Sequence, residues 1–322
     1  MNVTVIGCGR WGSLIAWYLN SLGHHITLYG RESSAHMREF QSTRSNGLLT
    51  LPTSIILSCD LSHAVSDAQT LILSIPSQGL RGLMGELSRL ELRNRNIVLC
   101  MKGIEIESGK RLSEIAEECT HPSNRVAVWL GPGHVQEFYA GVPNCMVIDS
   151  RHEDLKQKLV ESFSGPLIRF YYGQDLIGNE IGAATKNVIG IAAGMLDGLK
   201  LGTLKGALMS RGTHEISRLI GVMGGNPFSA YGLCHLGDYE ATVFSPYSHN
   251  RKFGECVVTG EAYHDLAEGY YTAAALKSLE GRYGVELPIC DAVWNVLYEK
   301  KDPAKEIDGL FRRALKPEID KT

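Results

Sequence analysis

A single lysine, Lys186, stands inside "NEIGAATKNVIGIAAG" (Asn179 to Gly194), a run dominated by Gly, Ala, Ile and Val. Taking an ammonium group out of water disfavours its charged form, so such a lysine is drawn from a pKa of about 10.4 towards neutrality. A group poised there can both give and take a proton, which is what a general acid/base must do. Glycines at 178, 182, 190, 194, 198, 202 and 206 recur every four residues, and Lys186 fills the one vacancy in the row. Positions four apart share a helix face, drifting by about 40° per step, so the row predicts a smooth groove from which Lys186 alone projects. Each glycine weakens a helix by about 0.5–1 kcal/mol relative to alanine, so the pattern argues that a ligand or another backbone comes close. A snorkelling lysine or a structural salt bridge is the alternative reading.

A second chemical signature opens the chain. In "VTVIGCGRWGSLIAWYL", Gly7, Gly9 and Gly12 follow a β-like run and precede a helix-like one in G-x-G-x-x-G spacing. Gly7 suits the tight turn, Gly9 lets backbone amides approach a pyrophosphate, and Gly12 lets the helix pack against the strand. The helix N-terminus adds partial positive charge facing the anion. A merely tight β–α turn would use the same glycines, but a second β-run ends at Tyr29, about where a ribose is read. Dinucleotide binding is therefore expected. Gly30, Arg31 and Glu32 follow that run. A guanidinium matches phosphate geometry, so Arg31 favours NADPH through its 2′-phosphate, while Glu32 leaves NADH open.

These groups need a scaffold, and the chain reads as two textures. From Met1 to about Asp175 the β-rich runs "NVTVIG", "HITLYG", "SIILS", "TLILSIP", "NIVLCMKG", "RVAVWLGP", "NCMVID" and "LIRFYY" alternate with helical patterns such as "WGSLIAWYLNSLG" and "SGKRLSEIAEEC". Such alternation predicts an α/β fold, with a mostly parallel Rossmann-type sheet covered by helices on both faces. Ligands of such sheets bind beyond the carboxyl ends of the strands. Beyond Asp175 the β-rich runs stop and Gly-, Ala- and Leu-rich helical patterns take over. The reading is a dinucleotide-binding domain over residues 1–177 and a mainly α-helical substrate domain over 178–322, packed with a cleft between them.

Composition narrows the classes further. The 322 residues are 44% hydrophobic, enough for about two globular domains. Lys plus Arg number 32 against 35 Asp plus Glu, without a block of like charge, so nucleic acid is not an expected partner. Eight scattered cysteines lack a C-x-x-C pair and read as reduced thiols of a cytoplasmic protein. No apolar run approaches the ~20 residues of a membrane span, and the early strand leaves no room for a signal peptide. No H-E-x-x-H or Cys/His spacing calls for a metal.

Several long stretches in order resemble the NAD(P)-dependent glycerol-3-phosphate dehydrogenase family of the bacterial type, over about residues 2 to 300. They are "GCGRWGSLIA", "CMKGIE", "LGPGHVQEF", "GAATKNVIGIAAGMLDGL" and "GLCHLGDYEATVFSPYSHNRKFG". The resemblance implies reversible hydride transfer between NADPH or NADH and dihydroxyacetone phosphate, giving sn-glycerol 3-phosphate for phospholipid synthesis. It implies Lys186 as proton donor, Asp238 as its supporting acid, and Lys102 near the reacting carbonyl. It places Arg10, Trp11, Val135, His249 and Glu268 beside the cofactor with the glycine loop. It places Gly131, Gly133, Asn187, Thr242, Ser248, His249, Asn250 and Arg251 around the substrate. It also implies a homodimer.

Two departures stand out. Where the family usually shows S-R-N-R, this chain has Ser248, His249, Asn250 and Arg251, and Gly133 replaces the hydroxyl residue of the G-P-S motif. His249 lacks a bidentate fork and titrates near pH 6.5 unless shifted, so phosphate affinity is expected to improve as it protonates, with Arg251 taking over part of the anion. A paralogue with another phosphorylated or hydroxy-acid substrate is the alternative. A β-hydroxyacid dehydrogenase would usually carry Asn where Gly190 stands. A non-catalytic nicotinamide sensor would not need Lys102, Lys186 and Asp238 together.

Overall fold

A computed structural model describes residues 1–315, 317 and 318, so the last residues of the expected second domain, 316 and 319–322, lie outside the described residues. Each of the eight β-rich runs forms a strand: β1 Asn2–Ile6, β2 His25–Tyr29, β3 Ile56–Ser58, β4 Thr70–Leu73, β5 Asn96–Leu99, β6 Arg125–Leu130, β7 Asn144–Asp149 and β8 Ile168–Tyr172. They make one sheet in the order β3-β2-β1-β4-β5-β6-β7-β8. The first six strands in sequence are parallel and follow the doubly wound dinucleotide-binding order. β4 and β5 are buried at every residue, as strands covered on both faces must be.

One pairing departs from parallel. β7 runs antiparallel to β6, with Val128 opposite Asp149 and Leu130 opposite Val147. Residues 131–143 join them and contain only the short helix Val135–Tyr139. At about 1.5 Å per residue that helix is too short to carry the chain back along a strand, so the chain turns at the carboxyl edge.

Seven helices belong to the sheet domain: α1 Arg10–Ser21, α2 Ala35–Thr43, α3 Leu61–Val65, α4 Leu80–Ser88, α5 Leu112–Cys119, α6 Val135–Tyr139 and α7 Glu153–Phe163. On one face Leu14, Tyr18, Trp129, Phe163 and Phe170 fill the core, and on the other Leu80, Leu83, Ile115 and Leu130 do. The helical half holds α8 Leu176–Gly198, α9 Lys205–Val222, α10 His249–Thr259, α11 Glu268–Tyr283, α12 Pro288–Tyr298 and α13 Pro303–Phe311. α8 ties the halves together: Ala183 packs into the sheet-side core, while Ile181, Val188, Ile191 and Met195 pack into the helical one. Buried Glu180 on α8 adds a polar lock, pairing with Arg111 at 2.6 Å and accepting from the Ser113 amide at 2.9 Å.

The glycine row is one face of α8 as far as Gly198; Gly202 opens a short 3-10 turn and Gly206 lies in α9. The row is covered by the chain itself, since a Cβ at Gly178 would meet Ser229, at Gly182 His235, at Gly190 Thr242, at Gly194 the Arg251 carbonyl and at Gly198 Val258. The stretch 229–258 therefore runs alongside α8 in the same direction, and the glycines let it come within backbone contact. Lys186 is the one side chain of the row that this stretch must accommodate.

At Gly194 an added Cβ would lie 1.8 Å from the Arg251 oxygen, whereas Gly206 has nothing within 4 Å. Gly194→Ala is expected to lower stability by at least ~1–3 kcal/mol, and Gly206→Ala to raise it by about 0.5–1 kcal/mol, in urea unfolding. Equal effects from the two would contradict the close crossing.

Candidate active site

Asp238 sits at the end of a single turn, Leu236–Asp238, directly over the gap in the glycine row. The turn is anchored to α8 by buried His235, whose Nδ1 lies 2.9 Å from the Gly182 carbonyl and whose Nε2 lies 2.6 Å from Tyr239 Oη. A π-helical turn, Glu240–Phe244, then swings Thr242 towards α8. Single π turns recur at functional sites because they re-aim a side chain.

Lys186 Nζ donates to Thr242 Oγ1 at 2.6 Å and lies 3.0 Å from Asp238 Oδ2. Lys102 reaches the same carboxylate oxygen at 2.6 Å from the other side of the cleft, and its ammonium also donates to the Gly131 carbonyl at 2.7 Å. Lys102 follows β5 and Gly131 follows β6, so both stand at the carboxyl edge of the sheet. Burial drives the Lys186 pKa down to about 8, against the upward pull of Asp238 and with the downward push of Lys102. Two cations on one buried carboxylate leave a net positive charge, which suits an oxygen that becomes negative during reaction. Asp238 Oδ1 is buried without a hydrogen-bond partner among the described residues.

The glycine loop lies at the same edge. Gly7 donates to Tyr29 O at 2.9 Å and has φ +114, and its Cβ would lie 2.1 Å from Ser74 O. A Cβ at Gly12 would lie 1.9 Å from the Gly7 carbonyl, whereas one at Gly9 would meet nothing within 4 Å. Gly9 caps α1 without a side-chain bond, and no acidic residue occupies the first turn. The loop is thus tight beneath and open above, with free helix amides, which fits a dinucleotide diphosphate. Exposed Arg31 makes no ion pair among the described residues.

Gly133 has a physical reason to lack a side chain. Its φ is +138, and a Cβ would lie 2.2 Å from the Phe138 ring, which is buried and stands 5.9 Å from the ring of Trp11 in the cofactor loop. Val135 is buried on the same short helix. Glu268 opens α11 and crosses to the sheet domain, accepting from the Ser77 amide at 2.9 Å and from its hydroxyl. Burial raises its pKa.

The expected phosphate residues are placed differently from one another. Ser248 caps α10 and accepts from the Arg251 amide. Asn250 donates to Asn187 at 3.1 Å and accepts from the Gly269 amide at 2.9 Å. Arg251 holds Asp197 with Nη1 at 2.8 Å and the Ser245 carbonyl with Nε at 3.1 Å, which leaves only part of its guanidinium for an anion. His249 turns to the cofactor loop instead, where Arg10 hydrogen bonds its Nε2. Burial, then Arg10, lower the His249 pKa, which moves its expected protonation below the ordinary histidine range.

Sequence reasoning missed four residues. Ser77, beyond the carboxyl end of β4, was findable from that position. His134, inside the G-P-G-H run, has a buried Nε2 without a partner and a pKa held down to about 4 by burial and by Lys186. Tyr263 and Asp197, the partners of His249 and Arg251, carry no local signal.

The sheet order, the open glycine loop and the paired lysines define a nicotinamide-dinucleotide-dependent oxidoreductase. Residues 2–156 match the N-terminus of NAD-dependent glycerol-3-phosphate dehydrogenase and residues 175–308 match its C-terminus. The glycerol-3-phosphate dehydrogenase [NAD(P)+] of Exiguobacterium sp. is 37% identical, over 99% of this chain and 97% of the relative. That of Prosthecochloris aestuarii is 35% identical, over 99% and 100%. The crystal structure of glycerol-3-phosphate dehydrogenase from Coxiella burnetii superposes with a TM-score of 0.91 at 28% identity, covering 97% of this chain and 99% of that one. The chain belongs to the NAD-dependent glycerol-3-phosphate dehydrogenase family.

The Phe138 ring predicts the outcome of restoring a hydroxyl. Gly133→Ser is expected to cost about 1–3 kcal/mol in chemical denaturation, from positive φ and overpacking together. An unchanged unfolding midpoint would show that Phe138 does not fill that space.

Proposed function

We propose that the chain reduces dihydroxyacetone phosphate reversibly to sn-glycerol 3-phosphate with NADPH or NADH, feeding glycerophospholipid synthesis. The observation that carries this reading is the single buried carboxylate shared by Lys186 and Lys102, at the sheet edge that also carries the glycine loop. The nicotinamide supplies or accepts the hydride at C2 when bound. Everything else falls to the chain. Lys186 gives its proton to the carbonyl oxygen as that oxygen becomes an alkoxide, and takes it back in the reverse direction. Lys102 places positive charge beside the same oxygen, and Asp238 holds both ammonium groups in place. Thr242 aims Lys186.

The cofactor is assigned to Gly7, Gly9, Arg10, Trp11, Gly12, Arg31, Val135, His249 and Glu268, with exposed Arg31 favouring NADPH. The substrate wall is assigned to Gly131, Gly133, Asn187, Ser248, Asn250 and Arg251. This reading divides the chain at 177/178, two residues into α8, which follows β8. Among the described residues no helix is long and apolar enough to cross a membrane. A homodimer working in the cytoplasm completes the proposal; the exposed rings of Phe228 and Tyr231, 6.3 Å apart, supply apolar surface for a second copy.

Lys186→Ala is expected to lower kcat for dihydroxyacetone phosphate reduction by about 10²–10⁴ while leaving coenzyme binding unchanged. Reduction requires the protonated lysine, so native kcat should fall as pH rises through about 8, and the reverse reaction should gain over the same range. A native protein that oxidises neither coenzyme with this substrate would overturn the reading.

A further inference from the structure

Arg10 and His249 come from opposite walls of the cleft. Arg10 is the first residue of α1, directly after Gly9, and His249 is the first residue of α10. Their side chains meet, with Arg10 donating to His249 Nε2, and the other imidazole nitrogen lies 2.9 Å from Tyr263 Oη. A guanidinium has donors only, so Nε2 must be the unprotonated, accepting nitrogen. The neutral ring then carries its hydrogen on Nδ1 and donates it to Tyr263. Arg10 thereby fixes both the charge and the tautomer of His249.

Position 249 is where the resemblance led one to expect a guanidinium. A guanidinium does stand there, but it reaches across from the sheet domain. Arg251 already spends Nη1 on Asp197 and Nε on the Ser245 carbonyl. We infer that Arg10 is the arginine that clamps the dinucleotide diphosphate in this chain, and that His249 is a positioning residue that holds the Arg10 fork across the cleft. The inference rests on the dehydrogenase reading above. It assigns the diphosphate rather than the triose phosphate because the Arg10 backbone belongs to the open glycine loop.

The clamp depends on pH through three neighbours of the imidazole. Arg10 faces it from α1, and Tyr263 and Asp265 face it from the segment after α10, with Asp265 3.7 Å from Nδ1. Burial and then Arg10 hold the ring below its ordinary value of 6.5, with Asp265 opposing them. The clamp is therefore intact at neutral pH. As pH falls through that lowered value, Nε2 loses its lone pair, the ring becomes a cation against Arg10, and the contact opens.

The test is coenzyme Kd by calorimetric titration with NADPH and NADH on the full chain, beside the KM for dihydroxyacetone phosphate. Arg10→Ser should weaken coenzyme binding about tenfold or more, the size of one lost charge-assisted hydrogen bond. His249→Arg alone should also weaken it, because two guanidinium groups then face each other. The double variant Arg10→Ser with His249→Arg should return to within about threefold of native, since one guanidinium is again present at the same place. His249→Gln keeps an acceptor that does not titrate, so its coenzyme Kd should stay flat as pH falls through the acidic range the fold tolerates, while that of the native chain rises. Additive losses in the double variant would overturn the clamp. So would a loss confined to the KM for dihydroxyacetone phosphate, which would give Arg10 to the substrate phosphate. Native protein that binds coenzyme as described but never turns over would sink the dehydrogenase reading and leave the clamp standing.

Discussion

Everything at this site depends on one buried carboxylate oxygen holding two ammonium groups. Asp238 Oδ2 lies 2.6 Å from Lys102 and 3.0 Å from Lys186, one lysine from each half of the molecule. Breaking such a buried cluster by removing a partner typically costs about 3–5 kcal/mol, because the remaining charges are left uncompensated. With Asp238 in place, Lys186 can be buried deeply enough to release its proton at physiological pH and still be charged when it must act. The leftover positive charge is an asset for a reaction that passes through an alkoxide.

Holding Asp238 there is a packing problem, and α8 solves it. The stretch 229–258 must lie along the helix closely enough for a short aspartate to reach Lys186, so larger residues at 190 and 194 would push it away. His235 and Tyr239 fix the turn before Asp238, and Asn250 spans α8 and α11 after it. Glu180 and Glu268 lock α8 and α11 against the sheet domain, which keeps the distance between the lysines constant. Rigid placement of this kind is what proton transfer needs, since misplacement by about 1 Å can cost roughly 10²-fold in rate.

Much of this was legible in the chain because it is encoded locally. Eight β-rich runs, a glycine loop and a glycine-spaced helix each carry their own periodicity; the strands and the loop formed where expected, and the helix did so as far as Gly198. Lys186 declared itself by contrast with its neighbours. Pairings between distant segments were not legible. The antiparallel turn at β7 depends on how little helix the linker holds, and the sequence left open whether a ligand or backbone fills the groove beside Lys186, which residues 229–258 do. His249 reads as a weakened phosphate ligand until Arg10, 239 residues away in sequence, is seen beside it. Gly133 reads as a lost donor until the Phe138 ring is found in the space.

The most direct test of this account is an NMR titration of the Lys186 ammonium group in the native protein and in Asp238→Asn. The account predicts a titration at about 8 in the native protein, driven by burial, and a lower one in the variant, where the carboxylate that raises it is gone. A native Lys186 that titrates at its ordinary value of 10.5, or one indifferent to loss of the Asp238 charge, would contradict it.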